Sequence, residues 1–181
     1  MPNRLVFVVM GVSGSGKTTV GAMLAGRLGW DYAEADAFHS EANLARMASG
    51  HPLDDADRWP WLAAIARWID DRITRGAPGV VTCSALKRAY RDILRRPQVQ
   101  IVYLAGAQEL IARRLAARHG HFFPPAMLAS QFAALEPPAA DEGVIEIGID
   151  RTPAEIVDAI IVATGATGAA GSGGEATGPA R

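Results

Sequence analysis

The feature that most constrains this chain is the run G-V-S-G-S-G-K-T at residues 11–18, which matches the phosphate-binding loop pattern G-x-x-x-x-G-K-[ST] in full. A strand predicted at 4–10, with an unbroken apolar run at 5–10, precedes it and a helical pattern at 17–28 follows it, which is the strand–loop–helix context that the pattern requires. Glycine lets the backbone curl until successive N–H groups converge on phosphate oxygens, and the helix adds its positive N-terminal end. The alternative is a glycine-rich turn without a ligand, which fits less well because motif and context agree.

This loop predicts the binding of a nucleoside triphosphate together with Mg²⁺. Lys17 is predicted to bridge the β- and γ-phosphates, and Thr18 to supply a hydroxyl to the metal ion. The predicted nucleotide-binding residues of the loop are Gly11, Val12, Ser13, Gly14, Ser15, Gly16, Lys17, Thr18 and Thr19.

Short apolar runs alternate with helical patterns along the chain. Strands are predicted at 4–10, 30–35, 79–83, 99–105 and 144–149. Helices are predicted at 17–28, 40–47, 54–75, 86–95, 108–118, 126–135 and 153–163. The alternation predicts an α/β fold, a three-layer α/β/α sandwich with a five-stranded parallel sheet, within one domain at 1–164. Residues 165–181 are mostly Gly, Ala, Ser and Thr, which predicts a disordered tail.

Composition argues against several classes of function. The net charge of −1 gives no basic field for nucleic acid. The apolar run near the start is too short for a membrane span or a secretory leader, and a single cysteine, Cys83, allows no disulfide within the chain. We therefore expect a soluble cytoplasmic protein.

The loop alone does not separate an ATPase, a GTPase and a kinase. The chain lacks the Asn-Lys-x-Asp motif that reads guanine, and no apolar strand ends in the usual magnesium-binding Asp. The best-placed carboxylates are Glu34 and Asp36, at the end of the second strand, where ligands sit in open α/β sheets. Their spacing of two predicts that both lie on one side of an extended chain. Glu34 is a candidate partner of Mg²⁺ through water.

Four further blocks of sequence resemble the gluconokinase family. They are D-x-x-H at 36–39 leading to G-x-P-L-x-D-x-D-R-x-P-W-L at 50–62, C-S-A-L-K-R-x-Y-R-D at 83–92, R-L-x-x-R-x-x-H-F at 114–122, and S-Q-F-x-x-L-E-x-P at 130–138. The similarity covers about residues 8–149. Ala35 and Ser40 depart from it, since Gly and Pro are usual there in the family.

The resemblance implies a fold similar to that of shikimate kinase and the nucleoside monophosphate kinases, with a small helical lid at about residues 119–137. It implies ATP-dependent phosphorylation of D-gluconate to 6-phospho-D-gluconate with Mg²⁺, in sugar-acid catabolism that feeds the pentose phosphate pathway. It also implies a homodimer, because family members often form one.

Charged residues in these blocks are candidates for contacts with the substrate. Asp36 is predicted to orient the acceptor hydroxyl and accept its proton, with a helix-capping Asp as the less favoured alternative. Arg58 is predicted to clamp the carboxylate of gluconate, as an alternative to a solvated helix start. Lys87 and Arg91 lie four residues apart, which predicts one shared helix face beside the site. His39 is predicted to contact substrate hydroxyls.

Arg114 and Arg118 precede the lid and are predicted to neutralise charge on the transferred phosphoryl group, with a plain basic helix face as the alternative. His121 is predicted to support the lid. The predicted catalytic residues are therefore Lys17, Asp36 and Arg118. The histidines lack zinc spacing, and the tryptophans Trp59, Trp61 and Trp68 are predicted to pack against the core.

Two other functions stay open at this point. A shikimate or nucleoside monophosphate kinase would use the same loop, although the Asp-Gly-[Phe/Tyr]-Pro-Arg stretch of adenylate kinases is absent. A regulatory module could bind ATP without catalysis, but it would not need the charged residues around Asp36, Arg58 and Lys87.

Overall fold

The computed structural model of the chain describes residues 4–118, 120 and 123–168. In this part, five strands form one parallel sheet in the order β2-β3-β1-β4-β5. The strands are β1 (Val6–Met10), β2 (Asp31–Glu34), β3 (Gly79–Thr82), β4 (Val99–Ala105) and β5 (Ile145–Gly148). The α-helices are α1 (Lys17–Leu28), α2 (Glu41–Ala48), α3 (Asp55–Arg75), α4 (Arg88–Leu94), α5 (Gln108–Ala116), α6 (Pro125–Ala134) and α7 (Pro153–Thr164). The predicted α/β fold with its five-stranded parallel sheet is confirmed.

Strand β1 lies at the centre of the sheet and is completely buried. Because side chains alternate along a strand, Phe7 and Val9 enter one hydrophobic core while Val8 and Met10 enter the other. The first core is completed by residues of α1, α5, α6 and α7, and the second by residues of α3 and α4. Helices therefore cover both faces of the sheet, which gives the predicted three layers.

Two helices begin at caps that the sequence signals directly. The Ser40 hydroxyl accepts a hydrogen bond from the Asn43 amide at 3.2 Å, at the start of α2. At the start of α3, the Asp54 carboxylate accepts from the Asp57 amide at 2.8 Å, and the Asp57 carboxylate accepts from the Asp54 amide at 3.1 Å. This reciprocal capping leaves the carboxylate of Asp55 available for other contacts.

The prediction that Glu34 and Asp36 lie on one side of an extended chain is wrong. Strand β2 ends at Glu34, and Ala35–Phe38 form a 3₁₀ turn instead. In such a turn successive side chains are about 120° apart, so the alternation of a strand no longer applies. Both carboxylates remain within electrostatic range of Lys17, but their spacing of two no longer places them on one side of the chain.

The predicted helix at 86–95 begins later, at Arg88. Lys87 has extended backbone dihedrals of −97° and 147° and therefore precedes the helix. Lys87 and Arg91 do not share a helix face: the Lys87 side chain is 34% exposed, whereas Arg91 is completely buried.

The prediction that Arg91 contacts the substrate is also wrong, because its guanidinium is fully enclosed and bonded to protein. Arg91 Nε and Nη2 donate to the two carboxylate oxygens of Glu142 at 2.6 and 2.9 Å. Arg91 Nη1 donates to the carbonyls of Ala85 and Leu86, both at 3.1 Å. Ala85 has a φ of 46°, in the left-handed region that favours glycine. Arg91 thus stabilises an unfavourable turn directly before Lys87.

The predicted packing of the tryptophans holds for two of the three. Trp61 is buried in the second core and Trp68 packs against it. Trp59 is instead exposed, with its ring edge toward Tyr90 at a centroid distance of 5.5 Å.

Helix α7 ends at a left-handed Gly165 with a φ of 65°, and Ala166 still packs against the first core. Residues 169–181, the greater part of the predicted disordered tail, lie outside the described residues, so that prediction is not tested. Among the helices of the described part, none combines the length and the apolar character needed to cross a membrane.

We predict that Arg91→Met lowers the free energy of unfolding by about 3–5 kcal/mol, because it leaves the buried Glu142 carboxylate without its partner. Urea denaturation measures the loss. The double variant Arg91→Met/Glu142→Leu should recover a large part of it, since no uncompensated charge remains. A double variant as unstable as the single one would contradict this explanation.

The same pair predicts how stability depends on pH. Hydrogen bonds from Arg91 lower the pKa of Glu142 from 4.5 to about 2. The stabilisation is therefore complete above pH 4.5 and is lost as the pH falls through 2. In Arg91→Met, the free energy of unfolding should fall less over this interval than in the wild type, and parallel pH profiles would count against the pair as the cause.

Candidate functional site

The phosphate-binding loop joins the carboxyl end of β1 to the start of α1, as the sequence predicts. Gly14 and Gly16 adopt φ values of 79° and 95°, which other residues rarely do. A Cβ atom on Gly14 would lie 2.7 Å from the side chain of Leu115, so only glycine lets the loop approach α5 this closely. The loop therefore packs directly against α5.

Lys17 is the first residue of α1, and its side chain turns back toward the loop. Its Nζ donates to the Val12 carbonyl at 3.0 Å. Burial lowers the pKa of Lys17 to about 8, and the charges of Asp36 and Glu34 partly offset that effect. A phosphate group beside the ammonium would favour its charged form, so this lysine suits an anionic ligand.

Glu34 is held next to the beginning of α1. The Tyr32 hydroxyl is 2.6 Å from Glu34 Oε1 and 3.3 Å from the Thr18 carbonyl. Burial and the hydrogen bond to Glu34 raise the pKa of Tyr32, which therefore stays a neutral donor. The carboxylate of Glu34 is thus fixed close to the residue whose hydroxyl is predicted to bind Mg²⁺.

Within the described residues, no group of three or more His, Cys, Asp or Glu side chains could hold a metal ion alone. A hydroxyl on Thr18 and a nearby carboxylate on Glu34 are instead the sparse oxygen donors with which proteins bind Mg²⁺ on a nucleotide, because that ion keeps several waters and phosphate ligands. The donors present therefore fit Mg²⁺ that arrives with a nucleotide.

His39 packs against α3, within electrostatic range of Asp36 and Arg58. Its ring stacks on Trp61 with centroids 4.4 Å apart, and Trp61 Nε1 donates to the Ala35 carbonyl at 2.7 Å. Burial lowers the pKa of His39, and the charges of Asp36 and Arg58 act on it in opposite directions. The described part of the protein offers no hydrogen-bond partner for its buried Nδ1 atom. His39 is thus a neutral ring placed within electrostatic range of both residues.

Four side chains from α3, α4 and the residue directly before α4 form a compact group, here called the Asp55 cluster: Asp55, Arg58, Lys87 and Tyr90. Lys87 Nζ lies 3.2 Å from the Asp55 carboxylate, and Arg58 Nη1 lies 3.5 Å from it. The Tyr90 hydroxyl donates to Asp55 and is 3.3 Å from Arg58 Nη1. The cationic groups of Arg58 and Lys87 also lie 5.9 and 5.6 Å from the Tyr90 ring centroid. The structure therefore brings together Arg58 and Lys87, which the sequence analysis selected separately.

Within this cluster the charges support one another. Hydrogen bonds from Tyr90 and Lys87 lower the pKa of Asp55, and the bond to Asp55 raises the pKa of Lys87. One carboxylate and two cations leave a net charge of +1. Asp55 and Tyr90 were not among the predicted site residues. Asp55 could have been found, because the reciprocal cap of Asp54 and Asp57 leaves its carboxylate free to bind Lys87 and Arg58.

A second part of the site is a cavity of about 610 Å³ beside the loop. Gly14, Gly16 and Thr19 line one wall, and Arg114 and Arg118 line another. Arg114 Nη2 also donates to the Ile149 carbonyl at 2.5 Å. The structure therefore places both predicted arginines next to the phosphate-binding loop.

Residues 150–153, which follow β5 and also line this cavity, were not among the predicted site residues. They could have been found, because the carboxyl end of β5 lies at the same edge of the parallel sheet as the loop. Of the lid predicted at about 119–137, helix α6 is described; His119 and His121 lie outside the described residues, so the role predicted for His121 is not tested.

Comparison with known proteins places this site in a family. A family model described as an AAA domain matches residues 6–138. The chain is 45% identical to a probable gluconokinase of Mus musculus, over 87% of this chain and 96% of that protein. It is 46% identical to a gluconokinase of Gluconobacter oxydans, over 85% of this chain and 88% of that protein.

Solved structures give the same result. A gluconokinase from Sinorhizobium meliloti superposes with a TM-score of 0.80 at 40% identity, covering 92% of this chain and 95% of that one. A shikimate kinase from Bacteroides thetaiotaomicron superposes with a TM-score of 0.63 at 14% identity, covering 89% and 98%, which is a likeness of fold alone. By these identities over most of its length, the chain belongs to the gluconokinase family of P-loop kinases.

Proposed function

We propose that this protein is a gluconokinase, which transfers the γ-phosphoryl group of ATP to a hydroxyl of D-gluconate and releases ADP and 6-phospho-D-gluconate. The observation that carries the proposal is the Asp55 cluster beside the phosphate-binding loop. The Gly11 amide at the start of that loop donates to the Ser84 carbonyl at 3.3 Å, in the turn that leads to Lys87. The loop that binds the phosphoryl donor (the donor loop) and the cationic cluster that would bind the phosphoryl acceptor therefore meet at one edge of the sheet.

The charge of the Asp55 cluster supports a sugar acid over a phosphorylated acceptor. A net charge of +1 matches the single negative charge of an aldonate carboxylate, which Arg58 and Lys87 can bind through charge-assisted hydrogen bonds. A nucleoside monophosphate brings close to two negative charges and would leave one without a counter-charge. Asp55 and Tyr90 add hydrogen-bonding groups that suit the hydroxyls of a polyhydroxy chain.

On the nucleotide side, the amides of residues 11–18 and Lys17 hold the β- and γ-phosphates. Thr18, and Glu34 through water, would bind Mg²⁺, which supplies further neutralisation of phosphate charge. Arg114 and Arg118 stand at the loop and compensate charge that develops on the transferred group. Phosphoryl transfer depends mainly on such positioning and electrostatic stabilisation.

Asp36 is the proposed acceptor-side carboxylate. It lies within electrostatic range of Lys17 in the donor loop and of His39, and His39 is itself within range of Arg58 in the Asp55 cluster. From there it orients the attacking hydroxyl and accepts its proton as the phosphoryl group is transferred.

The proposal is tested by a panel of acceptors at saturating Mg-ATP. We expect turnover of D-gluconate and little turnover of shikimate or AMP, because neither rival offers both a monoanionic carboxylate and an extended polyol. A coupled assay of ADP release measures all three. Turnover of shikimate or AMP without turnover of gluconate would contradict the proposal.

Arg58→Met should raise the KM for gluconate by about 10- to 100-fold, as expected for the loss of a charge-assisted bond worth roughly 1.5–3 kcal/mol. The KM for ATP should stay close to that of the wild type, since Arg58 belongs to the acceptor side. Arg67→Met, an exposed arginine on the same helix, is the matched control. An equal rise in both KM values would show that Arg58 supports the fold instead.

Asp36→Asn should reduce kcat by about 100-fold or more, because general base catalysis contributes on the order of 10²–10⁴. Binding of ATP should change far less. Steady-state kinetics and calorimetric titration with ATP measure the two effects. Comparable losses in turnover and in ATP affinity would assign Asp36 a structural role.

A further inference from the structure

Helix α6 is hydrogen-bonded directly to the phosphate-binding loop. The Ser13 amide donates to Gln131 Oε1 at 2.6 Å, and Gln131 Nε2 donates to the Ser13 hydroxyl at 2.8 Å. One side chain thus binds both the backbone and the side chain of a loop residue that lies 118 positions away. Such a paired contact fixes the orientation of Ser13 relative to α6.

Five residues later the same segment binds the turn that carries Lys87. The Glu136 amide donates to the Leu86 carbonyl at 2.8 Å. The Glu136 carboxylate accepts from the Arg88 amide, the first of α4, at 2.7 Å. Glu136 therefore caps α4 from outside the helix and holds the residues on both sides of Lys87.

Between these two contacts, Leu135 packs against both hydrophobic cores, so the segment runs across the edge of the sheet from one layer to the other. Its first contact is on the nucleotide side and its last is on the acceptor side. No role in binding or chemistry assigned above uses Gln131 or Glu136, although each makes two hydrogen bonds to a part of the site.

We propose that residues 131–136 form a brace that sets the position of the donor loop relative to the acceptor cluster, with Gln131 and Glu136 as positioning residues. Gln131 positions Ser13 and the loop amides near it, and Glu136 positions Lys87. Phosphoryl transfer requires the donor and the acceptor to be aligned within a fraction of an ångström, so small shifts at either contact change the rate. The acceptor half of this proposal rests on the proposed function, whereas the nucleotide half does not.

The nucleotide half is tested by calorimetric titration with a non-hydrolysable ATP analogue and Mg²⁺, without any acceptor. Gln131→Met keeps the approximate size of the side chain and removes both hydrogen bonds. We expect the dissociation constant to rise about 3- to 30-fold, the loss expected for two neutral hydrogen bonds. Ser130→Ala, its exposed neighbour on α6, is the matched control and should bind as the wild type does.

Tighter binding of the analogue by Gln131→Met would overturn the proposal, because Gln131 would then occupy a phosphate position that the nucleotide must clear. Unchanged binding and unchanged kcat, with only a lower melting temperature, would overturn it as well and leave Gln131 a purely structural residue. Gln131→Ala repeats the measurement if the Met variant does not fold.

The acceptor half is tested by steady-state kinetics of Glu136→Ala and Glu136→Gln with gluconate and ATP. Glu136→Ala should raise the KM for gluconate about 3- to 10-fold with little change in the KM for ATP, since one cap of α4 is lost. Glu136→Gln keeps an acceptor for the Arg88 amide and should restore most of the affinity. A rise in the KM for ATP alone, or no recovery in Glu136→Gln, would contradict the acceptor half.

Assays of the wild-type protein distinguish a failure of the proposed function from a failure of the brace. A wild-type protein that fails to phosphorylate gluconate would contradict the proposed function. The titrations of Gln131→Met would still decide whether the brace positions the nucleotide loop.

Discussion

All five strands run in the same direction, and this single constraint determines where chemistry can occur. In a parallel sheet every strand ends at the same edge, so the segments that follow β1, β2, β3 and β5 converge there. The Gly11 amide, hydrogen-bonded to the Ser84 carbonyl, joins the first of these segments to the third. The donor loop, the carboxylates after β2 and the turn before Lys87 are neighbours because of the strand order.

Features with a local physical cause were predictable from the sequence. The motif at 11–18 fixes its own conformation through glycine, and the Ser40 and Asp54 caps mark their helices within four residues. The arrangement of strands and helices follows from side-chain periodicity, which depends on each segment alone. Arg58 and Lys87 were selected separately as substrate residues, and the structure shows that both contact the carboxylate of Asp55.

Features that depend on residues distant in sequence were not predictable. The spacing of Lys87 and Arg91 predicted one helix face, but α4 starts only at Arg88, whose amide is capped by Glu136. Arg91 looked like a substrate residue because its partner Glu142 lies 51 positions further along the chain. Nothing near Arg91 in the sequence indicates that it is buried, so its charge was taken for an exposed one. The 3₁₀ turn after Glu34 similarly interrupts a strand pattern that the local sequence would continue.

The charges of the site are balanced differently on its two sides, and this difference bears on selectivity. On the donor side, burial lowers the pKa of Lys17 to about 8, and Asp36 and Glu34 offset that effect only in part, so an approaching phosphate group would stabilise the ammonium further. On the acceptor side, Arg58 and Lys87 already share the carboxylate of Asp55. A ligand there gains only the part of the cationic charge of Arg58 and Lys87 that Asp55 does not neutralise. This remaining charge favours a single carboxylate and adds little attraction for a more highly charged acceptor. In the proposed function, affinity for phosphate is therefore concentrated at the loop, and the acceptor side selects by charge and by its hydroxyl-binding groups.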